Sequence, residues 1–216
     1  FCVLGTKLAC AEMIRGGIGT FADMYFFEDA IAKACNEAGI RSFLGEVILD
    51  FPTVAKRNPQ ENLAFIEQFL QNYADDDLIF PIIAPHSTYT VSPPLLQKAW
   101  DLAEKYDCPF HIHMAENEDE IKQIHAKFSQ TPYEVLAKNG IGGRRIMAAH
   151  SVYPQKNDMD WMRNQQVSVV HCPESNLKLG SGIAPIPQYV QAGINVALGT
   201  DGAASNNNLS ILEEMQ

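Results

Sequence analysis

Seven apolar segments of strand length recur along the chain, and amphipathic helical patterns separate them. The segments are almost continuously apolar, which is typical of parallel strands that are covered on both faces. Several of the helical patterns stop at a glycine, a common helix terminator. Regular alternation of strands and helices predicts a parallel α/β fold, either doubly wound or a barrel. The segments are residues 19–25, 41–49, 78–85, 109–115, 145–151, 167–173 and 195–202.

Two features favour a barrel over a doubly wound sheet. No Gly-x-Gly-x-x-Gly motif follows any of the strands, so the usual dinucleotide-binding fingerprint is missing. Polar side chains close most of the strands, and in a barrel the C-terminal strand ends build one common mouth. These strand-closing residues are Asp23, Glu46, His86, His113, His150, His171 and Asp201.

The predicted barrel is incomplete. A closed (β/α)8 barrel of the TIM type has eight strands, whereas this sequence supplies seven. A helical pattern at residues 5–17 precedes the first strand, and another is predicted to begin within residues 210–216. We therefore expect the first strand to lie outside this chain, and we interpret residues 1–216 as a single partial barrel domain.

The composition limits the classes of partner. The chain has 216 residues, a net charge of −10 and a pI near 5.0, and a nucleic-acid groove needs a basic face instead. No apolar segment reaches the length of a membrane span, and the first residues lack the features of a signal peptide. The five cysteines form no Cys-x-x-Cys pair, which disfavours a disulfide framework and fits a reducing cytoplasm. A small-molecule substrate is expected.

The segment HIHMAENEDE contains the first candidate site. His111 and His113 are two residues apart on one strand and therefore share a face, and Glu116 follows just past the strand end. A neutral imidazole is a good zinc ligand, and a nearby carboxylate can reach a metal-bound water without ligating the metal. The alternative is a core histidine beside a solvated helix start, where carboxylates are favoured by the helix dipole. This segment alone leaves both interpretations open.

Other strand ends supply further candidates. His150 is placed to polarise a carbonyl or a leaving group, and a buried imidazole bonded to backbone is the alternative. Asp201 closes a very apolar strand, where ionisation is costly unless a cation or a donor meets it, although a helix N-cap would also explain it. His86 and His171 are interpreted as substrate contacts or as neighbours of the ligands, with core histidines as the alternative.

Taken in order, several motifs resemble those of the amidohydrolase superfamily. Within it, the sequence is most similar to the 5'-methylthioadenosine/S-adenosylhomocysteine deaminases, which are related to the triazine chlorohydrolases and guanine deaminases. The resemblance covers essentially the whole chain and implies a distorted barrel with one zinc or iron ion at its mouth. The motifs are FADMYFFEDA, LGEVILDFP, APHSTYTVS, HIHMAE, AAHSVY, HCPESNLKLGSGIAP and LGTDGAASNNN.

The resemblance also implies a role for each candidate. His113 and Asp201 correspond to metal ligands on the fifth and eighth strands. Glu116 would carry protons to the substrate ring, His150 would assist at the metal-bound water, and His86 would line the substrate pocket. Asp201 is also expected to take a proton from the water. Two further histidines would surround the ligands without touching the metal, namely His111 and His171.

The chain departs from the family in one respect. The family's His-x-His on strand one has no counterpart before residues 5–17, because Glu116 and the order of the later motifs assign His111 and His113 to strand five. The family's flanking β-sandwich is missing as well. A metal held by His113 and Asp201 alone is expected to bind weakly.

The resemblance implies hydrolytic deamination of an adenine-containing nucleoside in the intact protein, with release of ammonia. One alternative is hydrolysis of another amino- or chloro-substituted heterocycle, such as guanine or a triazine. Another is a catalytically inactive barrel fragment, whose open sheet edges would favour aggregation or pairing with a partner. Homo-oligomer formation is a family expectation that no residue of this sequence tests.

Overall fold

The computed structural model describes residues 1–216 and shows alternating helices and parallel strands. The strands are β1 (Thr20–Tyr25), β2 (Arg41–Ile48), β3 (Ile79–Pro81), β4 (Ala84–Pro85), β5 (Phe110–Met114), β6 (Ile146–His150), β7 (Ser168–His171) and β8 (Asn195–Leu198). The helices are α1 (Cys2–Arg15), α2 (Glu28–Ala38), α3 (Pro59–Asn72), α4 (Pro93–Lys105), α5 (Glu118–Phe128), α6 (Pro132–Lys138), α7 (Lys156–Gln165), α8 (Pro173–Lys178) and α9 (Ile186–Gln191).

The strands form two parallel four-stranded sheets. The first has the order β1-β2-β3 with β4 also paired to β2, and the second has the order β5-β6-β7-β8. Two isolated bridges join the sheets, between Ile83 and Phe110 and between Ser87 and His113. The predicted parallel α/β fold with seven strands is confirmed, since β3 and β4 are two pieces of the one predicted segment 78–85. Strands β1 and β8 are the edges of this open barrel wall.

Local sequence signals fix several helix ends. Asn58 caps α3 by accepting a hydrogen bond from the Glu61 N–H, and Thr131 caps α6 in the same way. Helix α2 ends at Gly39, whose φ of 74° lies in the left-handed region that glycine adopts without strain. All strand pairings are parallel, so the C-terminal ends of the strands lie on the same side of the wall.

The helix predicted to begin within residues 210–216 is absent, and residues 211–215 form turns instead. The Glu214 carboxylate is turned inward, where it accepts hydrogen bonds from the Asn206 side chain and the Glu174 N–H. Conversely, the short helix α8 lies in a segment for which the sequence predicted only a strand end and a loop.

Two apolar clusters fill the interior. The larger one has 27 buried residues and packs around β5, β6 and β7, whereas the smaller one has nine and lies among α1, α2 and β2. Cys10 and Cys35 belong to the smaller cluster, with their sulfurs 4.0 Å apart, and all five cysteines are free thiols. No helix is both long enough and apolar enough to cross a membrane.

Candidate active site

The C-terminal ends of the strands open onto one cavity of about 1440 Å³. Most of its wall is apolar, with strand β1 on one side and strand β8 on the other. The carboxylate and imidazole side chains in the wall come from five of the predicted strand ends and from one further position in β5. They are Asp23, His86, His111, His113, His150 and Asp201.

His113 lies at the centre of this group, near the end of β5. Its ring is stacked on His150 with centroids 5.4 Å apart, and the rings of His86 and His111 lie 5.0 and 5.9 Å away. Its Nδ1 is 2.8 Å from the backbone carbonyl oxygen of His86. Because a carbonyl can only accept, Nδ1 must carry the proton and Nε2 must carry the lone pair.

Burial keeps three histidines of the cavity neutral. Desolvation, together with the neighbouring imidazoles, lowers the pKa of His86 to about 4 and that of His111 to about 3. Burial also lowers the pKa of His113, and the nearby His150 adds to the effect. A neutral imidazole is the form of histidine that binds a metal ion.

His150 ends β6 in an unusual backbone conformation, with a φ of 67°. The next residue, Ser151, also has a positive φ, and its N–H donates to the carbonyl of Met114 on the neighbouring strand. The ring Nδ1 of His150 is 2.8 Å from Oδ1 of Asn176, which can only accept. With the Asn176 amide in this orientation, the neutral ring of His150 would carry its lone pair on Nε2.

Asp201 follows β8 and is held in the ionised form. Burial alone would raise the pKa of Asp201, but hydrogen bonds from hydroxyl and amide donors more than offset it and leave that pKa below its usual value. The Ser175 hydroxyl donates to Oδ2 at 2.6 Å, and the Gly202 N–H donates to Oδ1 at 2.7 Å. The alternative in which Asp201 only caps a helix is wrong, because turns and no helix follow it.

Glu116 lies just past β5, after Ala115, whose φ is 48°. Its N–H donates to the carboxylate of Glu120 at 2.8 Å, and its own Oε1 accepts from the Ser181 hydroxyl at 3.2 Å. Glu116 lines an adjoining cavity of about 630 Å³, and Leu179 lines both cavities. The two cavities are therefore neighbours, with Glu116 on the smaller one.

The remaining predicted residue, His171, is in β7 and does not line either cavity. Its Nδ1 is buried without a hydrogen-bond partner, as is that of His111, and burial lowers the pKa of His171. It stays near the site without reaching the cavity. Its predicted place around the ligands remains a prediction.

Several polar residues of the site were not assigned a role from the sequence. Ser175, Asn176 and Ser181 each contact a candidate residue, and all three lie in the segment that follows β7. Asp23, at the end of β1, has its pKa raised to about 6, mainly by burial and further by the negative charge of Asp201. The sequence signal was a cluster of small polar residues after an apolar strand, which predicts capping and turns equally well.

The chemistry of the donors fits two ligands of a divalent metal. His113 presents a neutral imidazole with a free Nε2, and Asp201 presents an ionised carboxylate to the same cavity. No group of three or more His, Cys, Asp or Glu side chains in the chain is arranged to hold a metal ion. Since a catalytic zinc site uses three protein ligands, the pair is an incomplete site by itself.

Parallel strands that gather neutral histidines and an ionised aspartate at their C-terminal ends define an α/β-barrel protein with a polar mouth. Residues 1–216 match the amidohydrolase family, and the chain belongs to that family. The resemblance indicated by the motifs is thereby confirmed.

Two relatives show how similar the chain is to known proteins. It is 46% identical over 210 residues to a 5-methylthioadenosine/S-adenosylhomocysteine deaminase from Aquifex aeolicus, covering 97% of this chain and 49% of that protein. It is 38% identical to an adenosine deaminase from Xanthomonas campestris solved with bound zinc, with a TM-score of 0.95, covering 98% of this chain and 48% of that one.

A more distant structure is similar in fold. A guanine deaminase from C. acetobutylicum, solved with bound guanine, is 29% identical with a TM-score of 0.87, covering 97% of this chain and 53% of that one. The chain spans about half the length of the curated relatives that it matches.

Proposed function

We propose that the intact protein is a metal-dependent aminohydrolase that removes the amino group of an adenine-containing nucleoside and releases ammonia. The observation that carries the proposal is the convergence of His113, His150 and Asp201 on one cavity. The relative from Aquifex aeolicus, named for deamination of 5-methylthioadenosine and S-adenosylhomocysteine, supports the choice of substrate.

The metal would be held by His113 Nε2 and an Asp201 carboxylate oxygen, together with ligands that this chain does not supply. When bound, a divalent ion such as zinc lowers the pKa of a coordinated water to about 7. The zinc in the Xanthomonas campestris structure favours zinc over iron. Metal analysis of the purified intact protein distinguishes the two.

The side chains of this chain divide the proton transfers between them. Asp201 accepts a proton from the attacking water, and Glu116 delivers a proton to the ring nitrogen beside the amino-bearing carbon. His150 orients the water through the lone pair on its Nε2, because its Nδ1–H is engaged by Asn176. Water adds to the ring carbon, Asp201 passes its proton to the amino group, and the C–N bond breaks with release of ammonia. The added hydroxyl then loses its proton to Glu116 as it becomes the ring carbonyl. His86 lines the substrate pocket, while His111 and His171 surround the ligands.

The test is the Glu116→Gln variant of the intact protein. Ammonia release should fall by roughly 100- to 10,000-fold, since an amide cannot transfer the proton, and the metal content should stay near the wild-type level. Glu118→Gln is the matched control, because Glu118 is exposed on the same segment, and it should retain wild-type turnover. Wild-type turnover in Glu116→Gln would exclude the catalytic role of Glu116.

A second candidate function is hydrolysis of another amino- or chloro-substituted heterocycle, such as guanine or a triazine. The similarity to a guanine deaminase favours it, because that structure holds guanine. A panel of adenine nucleosides, guanine, pterins and triazines, assayed for release of ammonia or chloride, distinguishes the two functions. A protein that binds no metal and converts none of them would be an inactive barrel.

Three broader assignments accompany the proposed activity. We infer that residues 1–216 act as one partial barrel domain, because both four-stranded sheets line the same cavity.

The five free thiols favour a reducing compartment, and we place the protein in the cytoplasm. Leu4 and Leu8 are exposed apolar side chains on α1, and we infer that they contact a second copy or another part of the protein. Sedimentation of the intact protein tests the oligomeric state.

A further inference from the structure

One short segment contacts all three of the proposed catalytic residues. Residues 175–181, which we call the positioning segment, comprise most of α8 and the turn after it. Three of its polar side chains point to different places on the barrel mouth, and each of these three bonds to one catalytic group. The bonded pairs are Ser175 with Asp201 at 2.6 Å, Asn176 with His150 at 2.8 Å, and Ser181 with Glu116 at 3.2 Å.

All three contacts are made by buried side chains of the positioning segment. Ser175, Asn176 and Ser181 are 0%, 1% and 5% exposed, whereas Leu177 and Leu179 between them are 64% and 55% exposed. These three polar side chains therefore face inward, whereas Leu177, Lys178 and Leu179 are exposed. The bond between His150 and Asn176 is fully buried, so no solvent molecule competes for its donor, whereas the bonds to Asp201 and Glu116 are partly buried.

The backbone fixes the segment at both ends. Pro173 begins α8, and the carbonyl of Asn176 accepts from the Ser181 N–H at 2.8 Å. Gly182 follows with a φ of 125°, and a Cβ there would lie 2.8 Å from the Tyr153 hydroxyl oxygen, so only glycine fits. The Lys178 ammonium also donates to the backbone carbonyl of Asn206, in the loop after Asp201.

We propose that Ser175, Asn176 and Ser181 are positioning residues that together set the geometry of Asp201, His150 and Glu116; this inference rests on the proposed function. Ser175 fixes the orientation of the Asp201 carboxylate. Asn176 accepts from Nδ1–H of His150 and so selects the tautomer whose Nε2 carries the lone pair. Ser181 holds one carboxylate oxygen of Glu116, leaving the other for proton transfer.

Because the three contacts come from one short segment, they are coupled. Loss of one contact frees part of the segment and so disturbs the other two. The double variant Ser175→Ala with Ser181→Ala is therefore expected to lose less than the product of the two single losses. Independent contacts would give losses that multiply.

The test compares Ser175→Ala, Asn176→Leu and Ser181→Ala in the intact protein. Each should lower kcat by roughly 10- to 100-fold, the range found for groups that orient metal ligands, with KM changed by no more than about twofold. Ser181→Thr and Asn176→Asp keep the hydroxyl and the acceptor oxygen, and they should recover most of the loss. Leu177→Ala, in the same helix but exposed, should retain wild-type kcat.

A second readout is independent of turnover. Nitrogen chemical shifts of the His150 ring should show Nδ1–H in the wild type and a shift away from that tautomer in Asn176→Leu. Metal content should fall in Ser175→Ala, since Asp201 loses its orienting donor. If the His150 tautomer and the metal content change as expected but the wild type deaminates no substrate, the positioning role is supported and the proposed function is wrong. Wild-type kcat and an unchanged His150 tautomer in Asn176→Leu would overturn the inference, as would equal losses of kcat in Leu177→Ala.

Discussion

Among the single residues, Glu120 is a buried carboxylic acid at the start of α5. Its Oε2 accepts the N–H of Glu116, whereas its Oε1 has no hydrogen-bond partner. Burial is the main cause that raises the pKa of Glu120 to about 7. The proton is therefore retained well above the pH at which an ordinary glutamate ionises.

This pKa makes the stability of the protein depend on pH. A glutamate in an unfolded chain has a pKa of about 4.3. The contribution of Glu120 to stability is therefore fully present below that pH, and it is lost as the pH rises through about 7. Relative to Glu120→Gln, which cannot ionise, the wild type should lose roughly 3 kcal/mol of unfolding free energy over that window. Urea unfolding at a series of pH values measures it.

Glu118→Gln is the control for that series, because Glu118 is exposed at the start of the same helix and pairs with Lys122 at the surface. It removes a carboxylate from the surface of the same helix and leaves Glu120 in place. A constant difference between Glu120→Gln and the wild type would contradict the raised pKa of Glu120.

The sequence predicted some of these residues and missed others for a physical reason. A histidine or aspartate that closes an apolar strand is costly to bury, and this cost made His113, His150 and Asp201 visible as candidates. Serine and asparagine in a loop carry no evident burial cost, and their hydrogen-bond partners depend on tertiary contacts. Ser175 and Asn176 therefore gave no such signal. The predicted solvated helix start holds for Glu118 and is wrong for Glu120, which the fold turns inward.

Among the elements, strand β2 depends on a residue that has no side chain. A Cβ at Gly45 would lie 2.4 Å from the Cβ of Ala84 in β4 and 3.0 Å from Cγ1 of Ile82. Ala84 is paired with β2, and the Ile82 N–H donates to the Leu44 carbonyl of β2, so the backbone at both positions is held in place.

Gly45→Ala is therefore expected to destabilise the protein by about 1 to 3 kcal/mol, the usual cost of overpacking a core. Gly5→Ala is the matched control, because Gly5 is inside α1 with nothing within 4 Å of the added methyl group. That change should stabilise the helix by roughly 0.5 to 1 kcal/mol. Urea unfolding measures both, and a neutral Gly45→Ala would show that β2 and β4 are less tightly packed than the distances indicate.

The elements themselves were largely predictable. Apolar continuity over the strands and glycines or caps at the helix ends are local signals, and they indicated the seven strand segments and most of the helices. Helix α8 was missed because it follows β7 directly, and its proline, serine and asparagine are equally typical of a turn. The helix predicted near residue 210 failed because Glu214 is drawn into tertiary hydrogen bonds that no local pattern encodes.

For the whole molecule, the main feature is the narrow connection between its two sheets. Strand β5 pairs with β6 along five residues but meets the first sheet only through the two isolated bridges. The connecting backbone bonds include those from the His111 N–H to the Ile83 carbonyl and from the His113 N–H to the His86 carbonyl. The halves should separate more easily at this seam than within either sheet.

Hydrogen exchange within β5 tests this expectation. The amides of His111 and His113 face the seam. The amide of Phe110 donates to the Arg145 carbonyl on the side of β6, and by alternation along the strand the amide of Ile112 also faces β6. Seam amides should exchange at least about tenfold faster than that of Ile112. Equal rates would mean that the two sheets open as one unit.

Fold class at this scale followed from the sequence, since strict alternation of strands and helices leaves few topologies. The seam could not be predicted from the sequence, because it depends on where segment 78–85 divides into β3 and β4. The apolar pattern is continuous across that division and does not mark it.

His86 and His113 face one another across this seam. A single peptide oxygen, that of His86, accepts both the main-chain N–H and the ring Nδ1–H of His113. Parting the sheets would therefore also release the imidazole from its fixed rotation and tautomer. With His113 as the proposed ligand, metal binding and pairing of the two sheets would therefore be one linked equilibrium, in which each event favours the other.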